Sequence, residues 1–359
     1  MLKGSQIHSL ATNQTTGDIL IQFPVYNEAT VVESSLDAIN KLHWPYGQLR
    51  LHILDDSTDH TTDIIERWVQ HNPQSTLRIE HIRRSERTGY KAGALAHSVS
   101  NTQEEFICIF DADFQPSPTF FIDTMPLFAS RNVGMVQTRW SHLNRDQNWL
   151  TRAAAVILDG HFIIEHTGRF LKGCFFNFNG TAGIWRRQCI EDAGGWHWDT
   201  ITEDLDLSYR AQLKGWDFVY TPLIHVPAEI PSSISAIRSQ QFRWVRGTSQ
   251  TARKLLPQIW ASEKSTAIKI EATTHLLANL GYWMTLILSL VIPFTTHLRW
   301  QFHEYWMMLD AVVFIASFAS LVWFHRVSQR FLSMQQERTS GWMAIVMALV
   351  LGVGLSVWQ

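Results

Sequence analysis

Two aspartates at alternate positions, Asp111 and Asp113, follow five apolar residues, Phe106-Ile107-Cys108-Ile109-Phe110. Carboxylates so spaced at the end of a buried strand can share one hard divalent cation, and a cation held there neutralises a diphosphate. A lone Asp-x-Asp occurs by chance in many proteins, and the apolar run before it gives this one its weight. Three more polar clusters stand at similar junctions. Tyr26-Asn27-Glu28 follows Ile19–Val25, and Asp55-Asp56 follows Leu49–Leu54. Thr202-Glu203-Asp204 opens a segment in which Leu205, Tyr209 and Leu213 share a helical face. Each has a plainer structural reading: Asp55-Asp56 can end a strand and cap a helix starting near Thr58, and Glu203-Asp204 suits the positive end of a helix dipole. A fifth cluster, Gln240-Gln241-Phe242-Arg243-Trp244, sets Gln240 and Arg243 three apart on one helix face, within reach of the same phosphate or carboxylate. Trp244 offers a flat face to a sugar ring or an anchor at a membrane surface.

The elements that must position these clusters are legible as apolar runs. Ile19–Val25, Leu49–Asp55, Leu77–Ile82, Phe106–Phe110 and Gly134–Thr138 read as short buried strands. Helical spacing links Val32, Leu36 and Ile39, and again Ile64, Ile65 and Trp68. Strand–helix alternation predicts an α/β domain with a mostly parallel sheet, whose ligands lie beyond the carboxyl ends of the strands. From about Asn148 the pattern changes to two amphipathic helices, Ala153–Phe170 and Ser233–Trp260. The second interleaves Arg238, Arg243, Arg246, Arg253 and Lys254 with Trp244, Leu255, Leu256 and Trp260, which suits either a membrane interface or a packed helix with a solvated face.

Ala272–Leu298 has no charged residue, Tyr305–Phe324 has only Asp310, and Gly341–Trp358 is a third uncharged run. The first two are long enough for a hydrocarbon core of ~30 Å. Arg326, Arg330 and Arg338 against Glu337 place the second connecting loop, and the domain before Ala272, on the cytosolic side. The expected organisation is residues 1–147 for the donor, 148–262 for the acceptor and the interface helices, and 272–359 for spans at about 276–296, 305–324 and 341–358. Sixteen tryptophans suit a membrane-facing protein. A net charge of −2 argues against nucleic acid as a partner. Three cysteines without metal or disulfide spacing suit a reducing compartment, and the polar first eighteen residues show no signal peptide.

Taken in order, Tyr26-Asn27-Glu28, Asp55-Asp56, Lys91-Ala92-Gly93-Ala94-Leu95, Asp111-x-Asp113, Thr202-Glu203-Asp204 and Gln240-x-x-Arg243-Trp244 resemble the motifs of processive family 2 glycosyltransferases, the cellulose-synthase superfamily. Arg87–Leu95, Phe110–Pro116 and Phe178–Arg186 are closest to the cellulose-synthase-like mannan and glucan synthases and their bacterial relatives. The resemblance covers roughly residues 20–260 and implies a GT-A-like nucleotide-sugar-binding fold. It implies that Tyr26, Glu28, Asp56 and Lys91 hold the nucleoside, and that Asp113 with Asp111 binds Mg²⁺ or Mn²⁺ under the diphosphate. Asp204, with Glu203 beside it, would be the catalytic base; Gln240 and Arg243 would grip the diphosphate. Trp244 would stack on the acceptor, whose side Asn179, Gly180 and Thr181 would line. Asn179-Gly180-Thr181 also matches a glycosylation sequon, a coincidence in a cytosolic domain.

A sugar hydroxyl is a poor nucleophile and a nucleoside diphosphate leaves with two charges. Metal and Arg243 would stabilise the leaving charge, and a carboxylate at Asp204 would take the acceptor proton. One base without a paired carboxylate nucleophile predicts a single inverting displacement. The expected enzyme is a hexosyltransferase carrying UDP-glucose or GDP-mannose into a β-glucan or β-mannan. The alternative is transfer of one hexose to a lipid, as in ceramide-type glucosyltransferases. A multi-pass protein of a plasma, bacterial inner or Golgi membrane is expected, with polysaccharide or glycolipid as acceptor and the lipid bilayer as partner. The resembled enzymes carry a span before the catalytic domain and a cytosolic gating segment after it; neither is present here, so a fragment, poorly active as it stands, is expected.

Overall fold

The computed structural model describes residues 15–300 and 304–356. Its first half alternates strands with helices: β1 (Ile19–Val25), α1 (Val32–Asn40), β2 (Leu49–Asp55), α2 (Thr61–His71), β3 (Arg78–Arg83), α3 (Tyr90–Ser100) and β4 (Phe106–Ile109). After α4 (Phe120–Thr124) come β5 (Val133–His142) and α5 (Trp149–Gly160), which runs through a π-helical turn, His161–His166, into α6 (Thr167–Leu171). The sheet is completed by β6 (Gly183–Arg186), α7 (Arg187–Asp192), α8 (Glu203–Leu213) and β7 (Asp217–Ala228). The remaining helices are α9 (Ile234–Ala261), α10 (Thr266–Leu276), α11 (Leu280–Trp300), α12 (Glu304–Met334) and α13 (Trp342–Ser356).

The seven strands form one sheet in the order β3-β2-β1-β4-β6-β5-β7. β3, β2, β1 and β4 are parallel neighbours, β6 is antiparallel to β4 and β5, and β5 runs parallel to β7. The mostly parallel sheet is therefore as expected, with β6 reversing direction at its centre. Apolar residues of both parities are buried because helices cover both faces. Ile19, Ile21 and Phe23 join Leu36, Ile39, Ile65 and Trp68 on one face, while Leu20, Ile107 and Ile109 join Leu95, Ile190 and Leu207 on the other.

The expected strands β1 and β2 have the observed bounds, and β3 and β4 differ by one residue at the ends. The polar second half differs more. Ala153–Phe170 is not a helix lying free in an interface: Leu150, Ala153 and Val156 pack on Ala344, Ile345 and Ala348 of α13. The expected first span, about 276–296, starts later: it falls on α11 from Leu280 onward. Ala272 and Leu276 end α10 in a core with Leu205, Tyr209 and Leu255, and the chain turns before α11. Among the described residues one helix is long and apolar enough to cross a membrane, Met308–Met334. α13, with 15 residues, rises only ~22 Å and has one face packed on α5. The supposed loop His325–Ser340 is helical to Met334 and turns at Gln336, whose φ is +58°. The polar leader (residues 1–14), residues 301–303 of the first expected loop and the end of the third apolar run (357–359) lie outside the described residues.

Candidate active site

Register brings the polar clusters together. β1 pairs with β2 from Ile19↔Leu49 to Val25↔Asp55, and with β4 from Ile19↔Phe106 to Gln22↔Ile109. The carboxyl ends of β2, β1 and β4 thus emerge side by side, carrying Asp55-Asp56, Tyr26-Asn27-Glu28 and Asp111. Because β6 is antiparallel, it delivers its entry segment to the same edge. The Ala182 N–H donates to the Ile109 carbonyl (2.8 Å), and the Asp111 N–H to Thr181 Oγ1 (2.9 Å). Asn179-Gly180-Thr181 therefore lies against the Asp-x-Asp segment.

At the centre, Lys91 Nζ donates to Asp111 Oδ1 (2.5 Å) and to the Gly180 carbonyl (3.0 Å). Burial pulls the Lys91 ammonium down, but Asp111, Glu203 and Asp204 more than offset this and hold it charged. Gly180 has φ +82°, and a Cβ there would stand 3.1 Å from Asp204 Oδ2 and 3.5 Å from Lys91 Nζ. Glycine is thus required both by the left-handed backbone and by the approach of two charged groups. Asp204 divides its oxygens: Oδ1 accepts the Leu205 N–H (2.8 Å), and Oδ2 faces Gly180. Glu203 and Asp204 both sit above the usual carboxylate range, Asp204 through burial and Glu203 through burial and then the charge of Asp204. The lowering expected from the helix dipole alone is outweighed by burial.

Asp113 is pushed up to about 7, by burial first and then by Asp111. Glu28 is raised by partial burial, then by Asp111 and Asp59, against the pull of Arg243. Excess carboxylate oxygen of this kind is the donor set a hard divalent cation neutralises, so Asp111 and Asp113 fit such an ion. The described residues contain one tighter group of ligand types, His197, Asp199 and Asp206. Its centre is taken by Lys254, whose Nζ lies 2.8 Å from Asp199 and 2.9 Å from Asp206, with Arg210 on Asp206 at 2.7 Å. A cationic cluster of this kind has no need of a metal.

The first two motifs are clamped to each other. Asn27, at φ +57°, donates its N–H to Ser57 Oγ (3.0 Å) and accepts the Thr58 N–H (2.9 Å). Asp56 binds Arg84 through both oxygens (2.5 and 3.1 Å), and the Arg87 guanidinium lies 3.2 Å over the exposed Tyr26 ring. Asp55 is different. It is buried and accepts from Ser57 N–H, Thr62 Oγ1 and His81 Nε2, so it is a structural carboxylate at the head of α2.

Gln240, Arg243, Trp244, Gly247, Gln250, Thr251 and Lys254 form one stripe along α9. Its second half docks on the start of α8. Gly247 lies so close to Thr202 that a Cβ would overlap Thr202 Cγ2 at 2.4 Å. Gln250 Oε1 accepts the Ile201 N–H (2.9 Å), and Thr251 Oγ1 meets Thr202 Oγ1 (3.3 Å). The first half of the stripe is thereby carried over the site: Gln240 and Trp244 are partly buried, Arg243 is exposed, and the Arg243 charge is felt by Glu28.

Residues 18–247 match the family described as glycosyltransferase like family 2. The chain belongs to glycosyltransferase family 2. Among curated proteins of similar sequence, probable glucomannan 4-beta-mannosyltransferase 4 of Oryza sativa subsp. japonica is 39% identical over 285 residues, 78% of this chain and 51% of the relative. Glucomannan 4-beta-mannosyltransferase 7 of Arabidopsis thaliana is 36% identical over 302 residues, 79% and 54% respectively. The chain spans about half the length of the curated relatives it matches. Of solved structures, the mannosyltransferase PcManGT of Pyrobaculum calidifontis, in complex with GDP-Man and Mn²⁺, is similar with a TM-score of 0.62 at 17% identity, over 96% of this chain and 92% of that one. TarS of S. aureus in complex with UDP-GlcNAc gives 0.53 at 12% identity, over 72% and 71%. Both likenesses show the fold, a GT-A-like α/β domain.

The family motifs do not single out every residue that shapes this glycosyltransferase site. Arg84 precedes the Arg87–Leu95 stretch and Arg87 opens it without a role of its own, yet they hold Asp56 and Tyr26. His166 closes the π-helical turn, is buried between Phe162, Phe176 and Tyr220, and meets Asn179 Nδ2 through Nε2 at 3.2 Å. Burial first, then the charges of His161 and Arg169, hold this imidazole neutral, so Nε2 accepts from the Asn179 amide. Only the apolar setting of His161–His166 hinted at this, since a π-turn has no sequence signature of its own.

Proposed function

We propose that this chain is the catalytic part of an inverting, metal-dependent mannosyltransferase that moves mannose from GDP-mannose to a growing β-linked mannan. The observation that carries the reading is the meeting of Asp204 Oδ2, Lys91 and Asp111 around Gly180, where a carboxylate base, a cation and a metal-ligating pair share one space. The mannosyl donor is favoured over UDP-glucose by the relatives' names and by the GDP-Man complex of the archaeal neighbour.

Tyr26 and Asp56, with their arginines, form the wall for the nucleoside, and Arg243 reaches the diphosphate from α9. A divalent ion at Asp111 and Asp113 would supply charge neutralisation to the leaving diphosphate. Lys91 holds Asp111 in place and keeps a positive charge beside the base. Asp204 Oδ2 accepts the acceptor hydroxyl proton as the hydroxyl attacks, and its raised basicity suits that task near neutral pH. Trp244, on the same stripe as Arg243, presents its ring to the acceptor sugar. With Glu203 adjacent in the chain and the facing Asp111 paired with Lys91 and given to the metal, Asp204 works as a base and not as one of a nucleophile pair, so displacement occurs once and inverts the anomeric carbon.

The membrane reading is supported by the surface of α11 and α12. Trp283, Met284, Leu288, Phe294, Val312, Phe314 and Phe318 are all exposed, large apolar side chains along both helices that a bilayer would cover. α12 would cross the bilayer, with the catalytic domain on the cytosolic side, and α11 would accompany it.

Membranes carrying the protein, given labelled GDP-mannose or UDP-glucose with Mg²⁺ or Mn²⁺, test the reading. Long label-bearing chains from GDP-mannose that β-mannanase degrades are expected, and chelation should abolish them. Label entering only from UDP-glucose, a single-hexose glycolipid as sole product, or full activity in excess chelator would overturn the corresponding part.

A further inference from the structure

The turn between α12 and α13 carries a cleft of about 500 Å³, lined by Trp323, Arg326, Gln329, Arg330, Ser340 and Trp342 among others. Arg326 and Arg330 are four residues apart, so their exposed guanidiniums share one helix face. The nearby acids are already engaged: Glu337 with buried Arg139, and Asp146 with Arg152 and Arg338. Among the described residues, neither Arg326 nor Arg330 forms an ion pair. Two like charges at this spacing repel, and an anion between them relieves that repulsion.

The cleft is also fixed in place. Gln329 donates to buried Asp159 of α5 (2.8 Å) and accepts the Ser340 N–H (2.7 Å), while Arg145 donates to Ser340 Oγ (2.9 Å). Beside it stand Trp323 and Trp342, 71% and 51% exposed, the first where the uncharged part of α12 ends at Phe324 and the second at the start of α13. Exposed tryptophans next to arginines at the end of an apolar helix are what the headgroup layer of a bilayer selects.

We propose that this cleft binds the phosphate headgroup of an anionic phospholipid, the two arginines forking onto the phosphate oxygens between the two tryptophans. The acyl chains then follow the exposed Ile315, Val312 and Met308 side of α12, which lies on the same helix face as the two arginines. A lipid is favoured over a soluble phosphate because the cleft opens directly beside this apolar surface. The proposal rests on the apolar part of α12, up to about Phe324, spanning the membrane, which leaves Arg326 and Arg330 at its cytosolic end.

The full chain is reconstituted in phosphatidylcholine with about one fifth phosphatidylglycerol, then purified with its retained lipid and weighed by native mass spectrometry. One phosphatidylglycerol per chain is expected. Arg326→Gln with Arg330→Gln should lower that retention at least about tenfold, as two arginines near an anionic surface allow. Arg326→Lys with Arg330→Lys should keep part of it, because charge remains without the fork. Equal retention by parent and glutamine variant would overturn the site. Displacement of the lipid by about 10 mM inorganic phosphate would replace the lipid by a soluble anion and also overturn it. Alkaline carbonate stripping of the parent from pure phosphatidylcholine would sink the membrane reading and this proposal together.

Discussion

Asp204 meets two environments with its two oxygens, one fixed by its own helix N–H and one turned to Gly180 and Lys91. Asp204→Asn keeps the shape and the helix contact but cannot take a proton. Near-normal folding and donor binding are expected, with transfer reduced at least about a hundredfold; a rate within a few-fold of the parent would assign the base elsewhere. The raised positions of Glu203 and Asp204 also set the sign of two pH effects. Initial rates should fall on acidification with an inflection above the ordinary carboxylate value of ~4. A folded-state pKa above the unfolded one means stability is lost as pH rises through the folded value. Glu203→Gln should therefore raise the melting temperature, relative to the parent, more at about pH 8 than at about pH 5. Asp55 runs the opposite way. Burial opposes its charge, but His81, Ser57 and Thr62 bring it to about 2. Its contribution is present above the unfolded value and fades as pH falls from ~4 towards 2. His166 acts through Asn179 and is a positioning residue. His166→Phe should raise the acceptor KM about tenfold while leaving donor KM unchanged, and His166→Gln, which retains an acceptor, should restore most of it. A purely structural histidine would move both constants or neither.

At the level of elements, α8 and α9 behave as one part. The stripe on α9 is anchored by Gly247 against Thr202 and by Lys254 against Asp206, and its free half carries Gln240, Arg243 and Trp244 to the site. A methyl at position 247 meets a short, β-branched side chain that is stiff at χ1. Gly247→Ala should push α9 outward, cut transfer about tenfold or more and weaken the grip of Arg243 on the diphosphate, with binding of the nucleoside alone at the Asp56 wall unchanged. Thr202→Ala removes the overlapping atoms, so the double variant should recover much of the loss, and a coupling energy measured by the four-way cycle checks this. Additive effects would show that the two helices are not keyed at this point.

For the whole molecule, the seam between the catalytic domain and the C-terminal helices rests on buried charge. Arg139 is fully buried, gives Nε to the Pro222 carbonyl, and pairs with Glu337 from the turn after α12. Asp159 gathers Arg145, His142 and Gln329 of α12 in the same seam, and Phe324 rests on Gly160, which leaves no room for a Cβ. Glu337→Gln leaves a buried guanidinium without its counter-charge, at a cost of about 3–5 kcal/mol. Limited proteolysis should then cut near the turn at Gln336, where the parent resists, and catalysis should fall with detachment of the helices. An intact seam in that variant would mean that Asp159 and the apolar contacts suffice.

The sequence alone determined the parallel core and the types of residue that gather at its edge. β1, β2 and β4 are buried on both faces, so each reads as a mostly apolar run, broken only by Gln22 in β1 and by Arg50 and His52 in β2, that ends where water and ligand begin. The polar residues there, from Tyr26 to Asp113, announce themselves because they cluster where the apolar runs stop. Thr202-Glu203-Asp204 and Gln240-x-x-Arg243-Trp244 were legible for the same reason, as chemical types at fixed spacing. Only the tertiary structure decided which of these groups meet. Lys91 reaches Gly180 across 89 positions, and Arg139 reaches Glu337 across 198. No periodicity encodes a contact of that span. β6 has only four residues and β7 carries Pro222 and Pro227, so neither offers the repeat that marks a strand. The apolar stripes of α5 and α10 were compatible with lipid or with protein, since a hydrocarbon side chain is equally removed from water by either. Packing against α13 and against α8 and α9 settled that choice, and a stripe can acquire such a partner only once the chain has folded.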